Sequence, residues 1–102
     1  MTEKRIEAAF RKAVKNRGGL ALKFVSPGFT GVPDRIVLLP GGRIEFVELK
    51  ATGKKPTPRQ LAVHDQLRRL GFKVRVVDSI EPVEPEKGWS TYDSKNPAIR
   101  FA

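Results

Sequence analysis

A chain of 102 residues with 20 Lys and Arg against 11 Asp and Glu, net charge +9, is sized for one domain with one modest core. It has no cysteine, which excludes disulfides and thiolate metal sites and suits a reducing compartment. No apolar run approaches the ~20 residues of a membrane span, and the charged, amphipathic start MTEKRIEAAF lacks a signal-peptide core, so a cytoplasmic protein is expected.

Thr2 can cap a helix over residues 3–17, in which Ile6, Ala9, Phe10, Ala13 and Val14 fall on one apolar face. Gly18-Gly19 stops it. LALKFV (20–25) has strand character, with Leu20, Leu22 and Phe24 on one side, and SPGFTGVP (26–33) is a loop by its Pro and Gly content. DRIVLL (34–39) and RIEFVELK (43–50) are strands separated by Pro40-Gly41-Gly42, so 34–50 reads as a β-hairpin. ATGKKPTP (51–58) is a basic loop. Thr57 followed by Pro58 is a cap and first-turn proline, opening a helix that runs to about Leu70 and ends at Gly71. Val63, Leu67 and Leu70 form its apolar stripe. FKVRVVD (72–78) alternates as a strand. The expected order is α-β-β-β-α-β, an α/β fold over residues 1–80. Residues 81–102, with Pro82, Pro85, Pro97 and the only Trp and Tyr, read as an irregular tail with at most one short element, serving packing or dimer contacts.

The hairpin makes a site. If Leu39 pairs with Arg43, Asp34 lies opposite Glu48, and other loop lengths move its partner by one residue. Directly opposed side chains have Cβ atoms ~5 Å apart, and like charges there are destabilising. Two carboxylates so placed need a cation. Residues two apart on a strand share a face, so Lys50 joins Glu48, as do Ile44 and Phe46. Hard oxygen ligands next to an ammonium group suit a divalent ion, Mg²⁺ or Mn²⁺, which can polarise a phosphodiester. Alone, the Glu-x-Lys of Glu48 and Lys50 would be an exposed ion pair. Asp34 across the strand changes that balance. Gln60 lies on the apolar stripe of the second helix, where a frayed or capping first-turn Gln is the plain alternative. Glu7 sits at the edge of the first helix's stripe, where the plain alternative is a boundary Glu paired with Arg11.

The charge is uneven. Residues 1–25 carry seven basic and two acidic groups and residues 50–75 carry eight and one, while residues 26–49 carry two and three. Two basic segments flanking an acidic one suggest a polyanion partner, most often nucleic acid. Lys54 and Lys55 after Lys50, Arg59 at the positive end of the second helix, and Arg11 and Lys15 on the outer face of the first are candidate phosphate contacts. Each alone is equally well a solvated charge. His64, one turn after Gln60 on roughly the same face, can touch a phosphate or serve as a base, but a lone His near an apolar face reads first as a boundary residue. Phe29 in the Gly-rich loop can stack on a base or pack inward. Trp89 and Tyr92 read as packing or dimer contacts.

Glu7, Gly31-Val32-Pro33-Asp34, Glu48-Leu49-Lys50 and Gln60, in this order and on these elements, resemble the PD-(D/E)XK nuclease superfamily. Within it, GVPD, ELKATG, the Gln60 helix and LGFKVRVV are similar to the VRR-NUC family, over about residues 3–78. That family includes small stand-alone nucleases of bacteria and phages and domains of larger repair enzymes. The resemblance implies a restriction-endonuclease-like core, a mixed sheet flanked by helices. It implies a metal-dependent DNA endonuclease acting on branched, junction or flapped DNA as a homodimer. Asp34, Glu48 and the Leu49 carbonyl would hold Mg²⁺ or Mn²⁺, Glu7 would add to the site directly or through water, Lys50 would position the attacking water, and Gln60 would orient Lys50 or a phosphate. The competing readings are a basic nucleic-acid-binding module without catalysis, resting on charge alone, and a protein whose basic faces bind an acidic partner.

Overall fold

The computed structural model describes residues 1–80 and 99–101. Helix α1 (Glu3–Asn16) is followed by strands β1 (Leu20–Lys23), β2 (Arg35–Leu39) and β3 (Arg43–Leu49), helix α2 (Pro58–Arg69) and strands β4 (Lys73–Ile80) and β5 (Ile99–Phe101). The expected α-β-β-β-α-β order is present, and a fifth strand closes it. The five strands form one sheet in the order β1-β2-β3-β4-β5. The β3–β4 pair is parallel and the other three are antiparallel, so the sheet is mixed. The parallel pair needs a crossover, and the segment containing α2 supplies it. Trp89, Tyr92 and the rest of 81–98 lie outside the described residues. Among the described residues no helix is long and apolar enough to cross a membrane.

The hairpin register is the one its turn dictates. Leu39 pairs with Arg43 and Arg35 with Val47. Gly41 and Gly42 both take positive φ, +85° and +75°, which is what lets three residues reverse the chain here. Because the side-chain period of a strand is two, this register commits each face. On one face Val37, Leu39, Val47, Leu49 and Val77 pack against Ile6, Phe10 and Val14 of α1. The opposite face carries Phe46, Glu48, Val74 and Val76, with Val63 and His64 the buried residues of α2. Phe46 is flanked there by Phe24 and, edge-on, by Phe72, with ring centroids 5.7 and 5.4 Å away.

Two sequence expectations fail at the level of faces. Leu70, read as part of the buried stripe of α2, is 73% exposed, while His64 is fully buried. The expected stripe holds at Val63, where the helix meets the sheet, but it takes in His64 and leaves Leu70 out. His64 is not a boundary residue. Leu20 and Leu22 are exposed although they share a side, because β1 is the outer strand of the sheet.

Candidate active site

The site forms where β2 begins, β3 ends and α2 starts. Asp34 is the residue before β2. Its carbonyl accepts from the Phe24 N–H at 2.7 Å, which ties it to the end of β1. Upstream, the loop comes so close to α2 that a Cβ on Gly31 would sit 3.0 Å from Arg59 Cγ and Val63 Cγ2, and Gly31 holds φ +92°. Only glycine meets both conditions without strain. Across the hairpin, the Asp34 Oδ2 accepts from the Leu49 N–H at 2.9 Å. The observed pairing of Arg35 with Val47 sets Asp34 against Glu48, as the register argument requires.

Glu48 is buried, with a side chain 2% exposed. Its Oε2 lies 3.3 Å from Lys50 Nζ and accepts from Gln60 Nε2, also at 3.3 Å. Its Oε1 receives no hydrogen bond from any described residue. The nearest positive or donor group recorded there is His64 Nε2, 3.9 Å away. Burial pushes the Asp34 carboxyl up from 3.8 to about 6; the Leu49 N–H opposes this, and the charge of Glu48, a hydrogen bond to it and, last, Glu3 reinforce it. Two carboxylates are thus brought together in a partly desolvated place, one of them with an oxygen left unpaired.

Gln60 is fixed by its own helix. Thr57 caps α2 by accepting from the Gln60 N–H at 3.1 Å, and Gln60 Oε1 accepts from the Thr57 N–H at 2.9 Å, a reciprocal capping box. That leaves the amide Nε2–H for Glu48. The capping reading and the site reading are therefore both met by one side chain. The residue it orients is Glu48; it shares Oε2 with Lys50 instead of binding Lys50 itself.

Glu7 lines a cleft of ≈ 270 Å³ together with Glu3, Asp34, Arg35 and Leu49. Its Oε1 accepts from Arg35 Nη2 at 2.6 Å, so its counter-charge is Arg35 and not Arg11. Arg35 is buried and needs that partner. Glu7 is engaged by Arg35 and shares the cleft with Asp34. Among the described residues, no group of three or more His, Asp or Glu side chains converges on one point. Leu49 pairs with Val77 of β4 and donates its amide to Asp34.

The basic residues divide. Lys54 and Lys55 are exposed in a loop whose start is tied down: the Gly53 N–H donates to Asp78 Oδ2 at 3.2 Å and the Thr52 hydroxyl to the Asp78 carbonyl at 2.9 Å. Arg11 and Lys15 are exposed on α1. Arg59 is engaged within the protein. Its Nε–H donates to the Thr30 carbonyl at 3.2 Å and its guanidinium lies 5.4 Å from the centroid of the Phe29 ring. Phe29 remains 45% exposed.

Sequence reasoning missed Arg35 and His64. Arg35 follows Asp34 and points to the other face, opposite Val47, which could have placed it under α1. His64 follows Gln60 by four residues and so shares its side of the helix, but hydropathy argues for the leucines instead.

No family model matches the chain. It is 56% identical over 77 residues to a protein named "Putative nuclease p44" from Acyrthosiphon pisum secondary endosymbiont phage 1, a match covering 76% of this chain and 83% of that protein. A solved structure described as a VRR_NUC domain is similar in fold, with a TM-score of 0.71 at 38% sequence identity, over 78% of this chain and 87% of the other.

Proposed function

This chain belongs to the VRR-NUC family of nucleases, and from that premise we propose that it is a divalent-metal-dependent endonuclease of branched DNA, acting as a homodimer. The observation that carries the reading is a pair of carboxylates, half-buried Asp34 raised to about 6 and buried Glu48 with an orphaned Oε1, beside a lysine. A binding module has no use for that cost. The donor set is hard oxygen only, which fits Mg²⁺ or Mn²⁺ held by Asp34, Glu48 and the Leu49 carbonyl. Bound there, the ion would supply charge stabilisation as the phosphodiester is attacked.

The protein's own side chains supply the rest. Asp34 is held at the start of β2 by the Leu49 amide, so its free oxygen keeps a fixed direction. Lys50, 16% exposed and 3.3 Å from Glu48, is positioned to orient the attacking water or offset phosphate charge. Gln60 holds Glu48 against rotation. Lys54 and Lys55 leave the site on an exposed loop and suit the phosphate backbone of the substrate. The choice of DNA, its branched form and the dimer rest on the family resemblance, and the net charge of +9 supports a polyanion.

The test is substitution. Asp34→Ala, Glu48→Ala and Lys50→Ala should each abolish cleavage while binding of the same DNA in EDTA persists. If all three variants still cut, the assignment of the site is wrong.

A further inference from the structure

One buried polar group beside the carboxylate pair has no part in the reading above. His64 is the chain's single histidine and is fully buried. Neither of its ring nitrogens has a hydrogen-bond partner among the described residues. Buried polar side chains in folded proteins are nearly always paired. Its Nε2 lies 3.9 Å from Glu48 Oε1, which is itself unpaired. One of these atoms can carry a proton and the other can only accept, and less than about one ångström separates them from hydrogen-bond distance. The geometry alone sets His64 Nε2 toward the unpaired Oε1. Oε2 already has the Gln60 amide as donor and the Lys50 ammonium as its ion-pair partner.

The placement is systematic. Gln60 and His64 are four residues apart, on one side of α2 and one turn apart. They meet the two oxygens of a single carboxylate on β3. A leucine would fill the same space against the sheet without an unpaired polar atom, so packing alone does not account for a histidine here.

We propose that His64 is a positioning residue: its Nε2–H donates to Glu48 Oε1, so that α2 grips the Glu48 carboxylate at both oxygens. The inference rests on the nuclease reading for its purpose. A carboxylate oxygen has two acceptor directions, so Oε1 holds this bond and still faces an ion. The carboxylate plane is then set before the ion arrives, as groups behind metal ligands commonly do.

Two measurements test this. The first is long-range ¹H–¹⁵N NMR of the wild type with and without Mg²⁺, unambiguous because there is one histidine. Nε2 should carry the proton in both states, and that proton should exchange slowly with water. A bare Nε2, above all one that shifts when Mg²⁺ is added, overturns the proposal and makes His64 a direct ligand. The second is Mn²⁺ binding by calorimetry. His64→Leu should keep a cooperative thermal transition and bind Mn²⁺ about 10- to 100-fold more weakly. His64→Gln, whose amide nitrogen can take the place of Nε2, should recover most of that loss. Equal Mn²⁺ affinity for wild type and the Leu variant overturns the proposal. If the Leu variant does not fold, the NMR result decides. A wild type with the bound Nε2–H and His64-dependent Mn²⁺ binding that cuts no DNA overturns the nuclease reading and leaves the positioning role standing.

Discussion

At Asp34, burial sets the chemistry. Its pKa of about 6, against 3.8 ordinarily, means that the ionised carboxylate is less well accommodated in the folded chain than in the unfolded one. Between about 4 and 6 the folded state therefore binds more protons, and its stability falls as pH rises through that window. In EDTA, Asp34→Asn should raise the melting temperature at pH 7.5 and change it little at pH 4. An equal gain at both pH values would mean that the carboxylate is not under strain. Adding Mg²⁺ or Mn²⁺ should raise the melting temperature of the wild type and leave the Asn variant unmoved, since only a state that binds the ion is stabilised by it. Glu48→Gln should lower the cleavage rate by about 10²-fold or more, because a transition-state contribution of several kcal/mol converts to that factor. Retention of wild-type rate in that variant would remove Glu48 from the site. Opposing Asp34 and Glu48 was legible from the sequence, because a three-residue turn and strand alternation leave few registers. The Arg35–Glu7 pair and His64 were not, because charge partners across elements depend on how a helix is turned, and a helix rotates by about a residue at no visible cost in its pattern.

The elements themselves follow from their termini and periodicity. Thr2 and Thr57 both cap as expected, and the hairpin strands agree with the sequence reading to one residue at each end. The buried face of α1 was legible too, because Ile6, Phe10 and Val14 repeat at helical spacing with nothing competing. Phe10 is fully buried in the core cluster, so Phe10→Ala should cost about 3–5 kcal/mol, read from urea unfolding. A cost below about 1 kcal/mol would mean that α1 is not docked as described. The face of α2 was legible at Gln60 and Val63, but its ends were not: hydropathy favours Leu70, which is exposed, over His64, which is buried. Thr57→Ala should cost about 1 kcal/mol of stability, the usual price of a lost N-cap. Because Thr57 also holds Gln60, the Thr57→Ala and Gln60→Ala effects on cleavage should not add. Additive losses would separate the cap from the site.

Over the whole molecule, two basic segments surround a carboxylate site at the end of a mixed sheet, and the charge should be felt as salt dependence. Each phosphate contact contributes about 0.9 to the slope of log affinity against log salt on duplex DNA. Replacing Lys54 and Lys55 together with Glu should reduce that slope by about 2 and weaken binding to all sequences alike. An unchanged slope would show that the loop does not touch the backbone. Net charge and its segments were legible in composition, but which cations are free was not: Arg59 lies over Phe29, while Lys54 and Lys55 remain exposed. The central claim is that the Asp34–Glu48 pair makes this family member a metal-dependent endonuclease. It is tested most directly by incubating labelled four-way junction, flap, linear duplex and single-stranded DNA with wild type and Glu48→Ala, each in Mg²⁺, Mn²⁺ or EDTA. Cutting by the wild type that needs the metal, favours the branched substrates and disappears in the variant is the predicted result. Tight binding to branched DNA with no cutting in either metal, or cutting that survives both EDTA and Glu48→Ala, would contradict it.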